Sequence, residues 1–175
     1  MGTIRYFAYG SNMLTQRLQK RCKSARAIGP AWVNGYSLVF HKRSKDGSGK
    51  ATLIKADDTT ARAYGVIFSI DASEMADLDR AEGAGYACIK DFTVFTTPAS
   101  PVEVITYFAP PESIDSALVP YDWYRNLAVA GARQNSLPDD YVKGLEAIAT
   151  EPDPDPDRPE RRAAIELLGK VERSS

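Results

Sequence analysis

The chain has 175 residues, 43% of them hydrophobic, with 22 basic and 23 acidic side chains for a formal net charge of −1. That length supports one compact domain with a sizeable core, and so even a charge balance leaves no electrostatic footprint for nucleic acid or an anionic membrane surface. No apolar run approaches the about 20 residues of a membrane span, Arg5 breaks the N-terminal run before a signal-peptide core develops, and Tyr6 stands where a myristoylation motif needs Ser or Thr; the sequence reads as soluble and cytoplasmic.

In chain order, Ile4 to Ala8 reads as a strand that stops at Tyr9-Gly10-Ser11-Asn12, and Met13 to Cys22 reads as a helix. A strand feeding a tight turn into a helix start aims backbone N–H groups and a hydroxyl at one spot, which suits a carboxylate or an oxyanion; it is equally an ordinary helix cap. The outer face of that helix, Arg17, Lys20, Arg21 and Lys23, reads as solvated. Ala31 to His41 reads as one strand broken near Asn34-Gly35 by a bulge or bend, followed by a polar loop from His41 to Lys50. Ala51 to Ala56 and Ala63 to Ile70 are further strands. Asp71 and Glu74 have the spacing of a capping box, opening a short helix through Arg80. Tyr86 to Thr96 and Val102 to Ala109 alternate as a long hairpin, and Tyr121 to Gly131 and Asp139 to Thr150 are helical. Residues 1–150 thus form the domain, 151–160 a Pro/Asp-rich linker, and 161–175 a C-terminal amphipathic helix that docks on the domain or pairs with a second copy as a homodimer. Strands in sequence-adjacent runs, without regular βαβ units, predict an α+β fold with a mixed, curved, barrel-like sheet and flanking helices around one cavity.

The common chemical motifs fail one by one. Gly47-Ser48-Gly49-Lys50 lacks the Gly at 44 and the Ser or Thr at 51 of a phosphate loop, and Tyr9 and Met13 occupy the glycine positions of a nucleophile elbow. His41 is the single histidine and reads as a surface residue beside Lys42 and Arg43. Cys22 and Cys88 form no C-x-x-C pair and read as reduced thiols. The Asp residues of the Pro-Asp tract lack the central glycine of a calcium loop, so a bound metal is not expected there. What remains is Glu82, at the end of a helix and ahead of Gly83-Ala84-Gly85-Tyr86.

Together these residues resemble the γ-glutamylcyclotransferase (AIG2-like) family. Tyr6-Phe7-Ala8-Tyr9-Gly10-Ser11-Asn12-Met13 is similar to its N-terminal signature, and Leu78-Asp79-Arg80-Ala81-Glu82-Gly83 with Tyr86 is similar to the segment that carries its catalytic glutamate. A third block, Pro120, Tyr124, Gly131-Ala132, Asn135, Leu137-Pro138 and Tyr141, follows in the same order, so the resemblance runs from residue 4 to about 150.

The resemblance implies cyclisation of a γ-glutamyl amino acid or γ-glutamyl amine to 5-oxoproline with release of the amine, with Glu82 as general acid/base and no cofactor. It also implies that Gly10, Ser11 and Asn12 supply donors to the substrate, which leaves open whether they hold its α-carboxylate or the oxyanion. Tyr9 and Tyr86 are expected to shape the cavity, and Tyr124 is either a substrate contact or a packed core tyrosine. The basic residues Lys42, Arg43, Lys45 and Lys50 either meet a carboxylate on the leaving group or form a solvated loop. A general base in this role needs a raised pKa, which predicts a buried Glu82 with apolar or aromatic neighbours. The competing reading keeps the pocket without turnover, as a binding module for γ-glutamyl-like metabolites.

Overall fold

The computed structural model describes residues 2–173; Met1, Ser174 and Ser175, the outer limits of the expected domain and terminal helix, lie outside the described residues. Seven strands are present among the described residues: β1 (Thr3–Ala8), β2 (Arg26–Asn34), β3 (Tyr36–Arg43), β4 (Gly49–Lys55), β5 (Arg62–Asp71), β6 (Ala87–Thr96) and β7 (Ser100–Phe108). The helices are α1 (Thr15–Gln19), α2 (Met75–Glu82), α3 (Asp122–Gln134), α4 (Asp139–Glu146) and α5 (Pro159–Glu172). Among the described residues no helix is long and apolar enough to cross a membrane.

Five strands close into a barrel in the order β1-β5-β2-β6-β7. All its neighbours are antiparallel except β1 and β7, which pair in parallel at Tyr6 and Ile105 and make the sheet mixed. β3 and β4 form a separate two-stranded ribbon. The expected α+β barrel with flanking helices is therefore the observed architecture. The segment read as one strand from Ala31 to His41 is instead divided between the barrel and the ribbon. Gly35, at φ 72°, takes the left-handed conformation that turns the chain out of one sheet into the other. The expected polar loop shortens to residues 44–48, because β3 continues to Arg43 and β4 starts at Gly49.

The predicted first helix also shortens. A single 3-10 turn, Ser11–Met13, precedes α1, and both are packed by the core residues Met13, Leu14 and Leu18, which are fully buried. Gly131 of α3 lets the two backbones meet: a Cβ there would lie 2.3 Å from the Leu14 nitrogen. Asn135 secures the junction by donating to the carbonyls of Met13 and Gly131, each at 2.9 Å.

The capping box at Asp71 does not form. Ser24, from the loop after α1, accepts the Asp71 amide at 2.8 Å, and Glu74 accepts from the amides of Lys23 and Ser24 and from the Ser24 hydroxyl. The glutamate thus ties α1 to the start of α2. Cys22 is buried and Cys88 half-buried, both as free thiols. In the Pro-Asp tract, Asp153 is buried, accepts from the Trp123 indole at 3.0 Å and pairs with Arg158 at 2.7 Å. Beyond it, α5 lays Ala164 and Leu167 on the core, with Leu168 and Val171 beside them.

Candidate active site

A cavity of about 200 Å³ opens where β1 ends. Its walls bring together the Gly10-Ser11-Asn12 turn, Arg17 and Arg21 around α1, Lys42 and Lys50 of the ribbon, Glu82 at the end of α2, and five tyrosines. All the residues singled out by sequence, Tyr9, Gly10, Ser11, Asn12, Glu82, Tyr86 and Tyr124, line this one space. The volume lies below the about 300–1,000 Å³ of drug-sized ligand sites. It suits a group the size of a glutamyl unit, with the rest of a ligand left toward the opening.

Glu82 is half-buried as a residue. Its Oε1 accepts from Asn12 Nδ2 at 2.7 Å and from the Tyr6 hydroxyl at 3.0 Å. Burial pushes its carboxyl above the ordinary glutamate value, against the pull of Arg21, Tyr6, Arg17 and Asn12. Asn12 is itself fixed, because its Oδ1 accepts from Arg21 Nη1 at 2.8 Å. Ser11 Oγ accepts from Arg17 Nε at 3.1 Å and so sits beside a guanidinium, with no histidine against it. Burial, then the proximity of Arg21, lower the Arg17 guanidinium to about 10.

The tyrosines form the apolar part of the wall. The Tyr9 hydroxyl donates to the Tyr107 carbonyl, the Tyr107 hydroxyl to Asp79 at 2.6 Å, and the Tyr86 hydroxyl to the Ala51 carbonyl at 2.7 Å. Tyr124 is core-packed and only 7% exposed; it also lines the cavity, and its hydroxyl accepts from the Ala51 amide at 3.4 Å. Gly10 lies against this wall; a Cβ there would meet the Ala51 Cβ at 2.7 Å.

Two sequence readings are corrected. Arg17 and Arg21 are not on a solvated face; only Lys20 and Lys23 of that set are exposed. The i,i+4 spacing of the two arginines, just after the turn, was the available signal. The basic ribbon also divides. Arg43 points outward to Asp115, and Lys45 is exposed. Lys42 stands over the Tyr86 ring at 4.8 Å. Lys50 pairs with Asp46 at 2.6 Å and lies 4.7 Å from the Tyr124 ring. Four basic side chains and one carboxylate line the cavity; with Lys50 already paired to Asp46 the balance is still positive, so the cavity suits a ligand with a net negative charge. Among the described residues no cluster of three His, Cys, Asp or Glu side chains could hold a metal ion.

A model of the AIG2-like family matches residues 62–145. The cattle (Bos taurus) γ-glutamylcyclotransferase is 30% identical over 151 residues, covering 82% of this chain and 77% of that protein. The chain belongs to the γ-glutamylcyclotransferase, AIG2-like, family. The mouse (Mus musculus) γ-glutamylcyclotransferase is 29% identical over 153 residues, covering 83% of this chain and 79% of its own length. A solved structure described as a γ-glutamyl cyclotransferase superposes with a TM-score of 0.85 at 25% identity, covering 97% of this chain and 99% of its own. Its coverage extends the family's fold beyond the region of the family model.

Proposed function

We propose that this family member cyclises γ-glutamyl amino acids or γ-glutamyl amines to 5-oxoproline and releases the free amine, with Glu82 as the acid/base. The observation that carries this reading is the Glu82 carboxyl itself: raised by burial, held by Asn12 and Tyr6, and lining a glutamyl-sized cavity together with the Gly10-Ser11-Asn12 turn.

The substrate's α-amine and γ-carbonyl belong to one molecule, so the enzyme has to hold the attacking conformer; well-oriented tethering is worth about 7–11 kcal/mol. No protein nucleophile is then required, in keeping with Ser11 Oγ accepting from an arginine. Glu82 takes a proton from the substrate ammonium, the freed amine nitrogen attacks the γ-carbon to form the ring C–N bond, and the C–N bond to the leaving group breaks as Glu82 returns the proton to the leaving nitrogen. The second proton, shed by the ring nitrogen as it becomes the lactam N–H, passes by the same carboxylate to the departing amine, which leaves as an ammonium. At reference values, a carboxyl near 4.3 facing an α-amine near 8 makes the first transfer uphill by about 5 kcal/mol. Burial of Glu82 narrows that gap. The developing oxyanion and the α-carboxylate are served by the turn and Arg17, and the positively lined cavity favours the anionic substrate. Lys42, on the ribbon side, is placed for a carboxylate on the leaving group, which favours γ-glutamyl amino acids over simple amines.

Incubation with a panel of γ-glutamyl dipeptides and γ-glutamyl amines, with chromatographic detection of 5-oxoproline, tests the reaction. Glu82→Gln should lower kcat by about 10²- to 10⁴-fold, the usual worth of general acid–base catalysis, with an unchanged circular dichroism spectrum. Wild-type turnover by that variant removes Glu82 from the chemistry. Tight binding of the panel without any 5-oxoproline identifies a binding module instead.

A further inference from the structure

Arg21 lies just beyond the end of α1, in a stretch whose other basic residues, Lys20 and Lys23, are exposed. Its guanidinium turns inward and donates from Nη1 to Asn12 Oδ1 at 2.8 Å. An amide whose oxygen is occupied by a guanidinium must present its NH₂ on the opposite side. On that side Asn12 Nδ2 meets both Glu82 Oε1, at 2.7 Å, and the Tyr6 hydroxyl, at 3.1 Å. Without the arginine, the Asn12 oxygen loses its donor and the placement of Nδ2 rests on Glu82 and Tyr6 alone.

We propose that Arg21 is a positioning residue: it fixes the Asn12 amide so that Nδ2 donates to Glu82, and it keeps a positive charge beside that pair. The inference rests on the reading of Glu82 as the acid/base and adds a relay, Arg21 to Asn12 to Glu82, that acts without contact with the reacting atoms.

Other groups face Glu82 as well, and the relay has to be separated from them. Arg17 of α1 favours the ionised carboxylate alongside Arg21, and Lys42 of β3 also interacts with it. Tyr6 and Tyr9, with Tyr86 and Tyr124 across the cavity, and the Cys22 thiol surround it with groups that are neutral at working pH. Arg21 differs from Arg17 and Lys42 in being joined to the Asn12 that touches the carboxylate. Removal of its charge therefore favours the protonated acid, and removal of its donor frees the amide.

Two substitutions separate these effects, each read as the pH profile of kcat/KM and of kcat. Arg21→Lys keeps the charge without the planar fork; its acid limb should stay in place while kcat falls about tenfold, the worth of one hydrogen bond to a charged partner. Arg21→Gln keeps an amide donor without the charge; its acid limb should move to higher pH, since the carboxylate loses a cation. Both variants should show native circular dichroism. Acid limbs that superimpose on wild type in the Gln variant, or a loss confined to KM in both, overturn the inference and leave Arg21 as a plain substrate contact. An active Glu82→Gln enzyme would instead overturn the underlying assignment of Glu82, so the two failures are distinguishable.

Discussion

Replacing Gly131 by alanine probes how tightly the Gly10-Ser11-Asn12 turn is seated. The new Cβ would lie 2.3 Å from the Leu14 nitrogen, 2.4 Å from the Met13 carbonyl carbon and 2.7 Å from the Met13 Cβ. The first two are backbone atoms, so no rotamer change relieves them, and contacts under 3.0 Å force something to shift. Either α3 or the 3-10 turn must retreat by at least the difference between 2.3 and 3.0 Å. Overpacking of this kind costs about 3 kcal/mol at its upper end, while Gly→Ala inside a helix returns about 1 kcal/mol. The net loss of about 2 kcal/mol lowers Tm by about 4–8 °C in a chain of this size. A displacement approaching 1 Å at the turn costs about 10²-fold in turnover. Thermal unfolding by circular dichroism and release of 5-oxoproline read the two effects. Gly144→Ala is the control: it lies in α4 with nothing within 4 Å of its would-be Cβ, so it should raise stability by about 0.5–1 kcal/mol. A Gly131→Ala protein with the Tm and kcat of wild type would refute the idea that this close approach seats the turn.

Two further outcomes follow from the cations and the C-terminal segment. Lys42→Met should raise KM for γ-glutamyl dipeptides about tenfold, the scale of one lost charged contact, and leave KM for γ-glutamyl amines unchanged; equal KM changes for both would show that Lys42 does not read the leaving group. Burial works to raise the Asp153 carboxyl, but Arg158, the Asp155 amide and the Trp123 indole outweigh it and hold it at about 2. A depressed carboxyl contributes stability that is present above the unfolded value of about 4 and fades as pH falls through the folded one. Tm of the wild type should therefore drop between about pH 4 and pH 2 partly through this group. Asp153→Asn should lower Tm at pH 7 and flatten that acid dependence, and an unchanged acid dependence in the variant would count against the assignment.

Much of the fold was legible because its strands carry apolar runs bounded by turn residues, and because the two halves of the site carry local signals. The strand that stops at Gly10 and the helix that ends at Glu82 needed only sequence neighbours to be read. What escaped depends on partners distant in sequence. The break at Gly35 looked like a bulge because a single strand gives no sign that its continuation pairs with β4 and leaves the barrel. Asp71 and Glu74 had the spacing of a capping box, but Ser24, from 50 residues earlier, competes for Glu74. Arg17 and Arg21 looked solvated because charge usually marks a solvent face; here the face is turned to a polar cavity. Asp153 in a Pro-Asp repeat gave no hint that Trp123 would bury it.

Glu82 is the last residue of α2, and that address has an electrostatic meaning of its own. The carbonyls at the end of a helix carry its partial negative charge, which disfavours a carboxylate there and favours a neutral acid. The backbone of α2 therefore biases Glu82 toward holding a proton before any neighbouring side chain contributes. Substitutions around the cavity wall can tune that bias, but they cannot remove a preference built into the direction in which the helix runs.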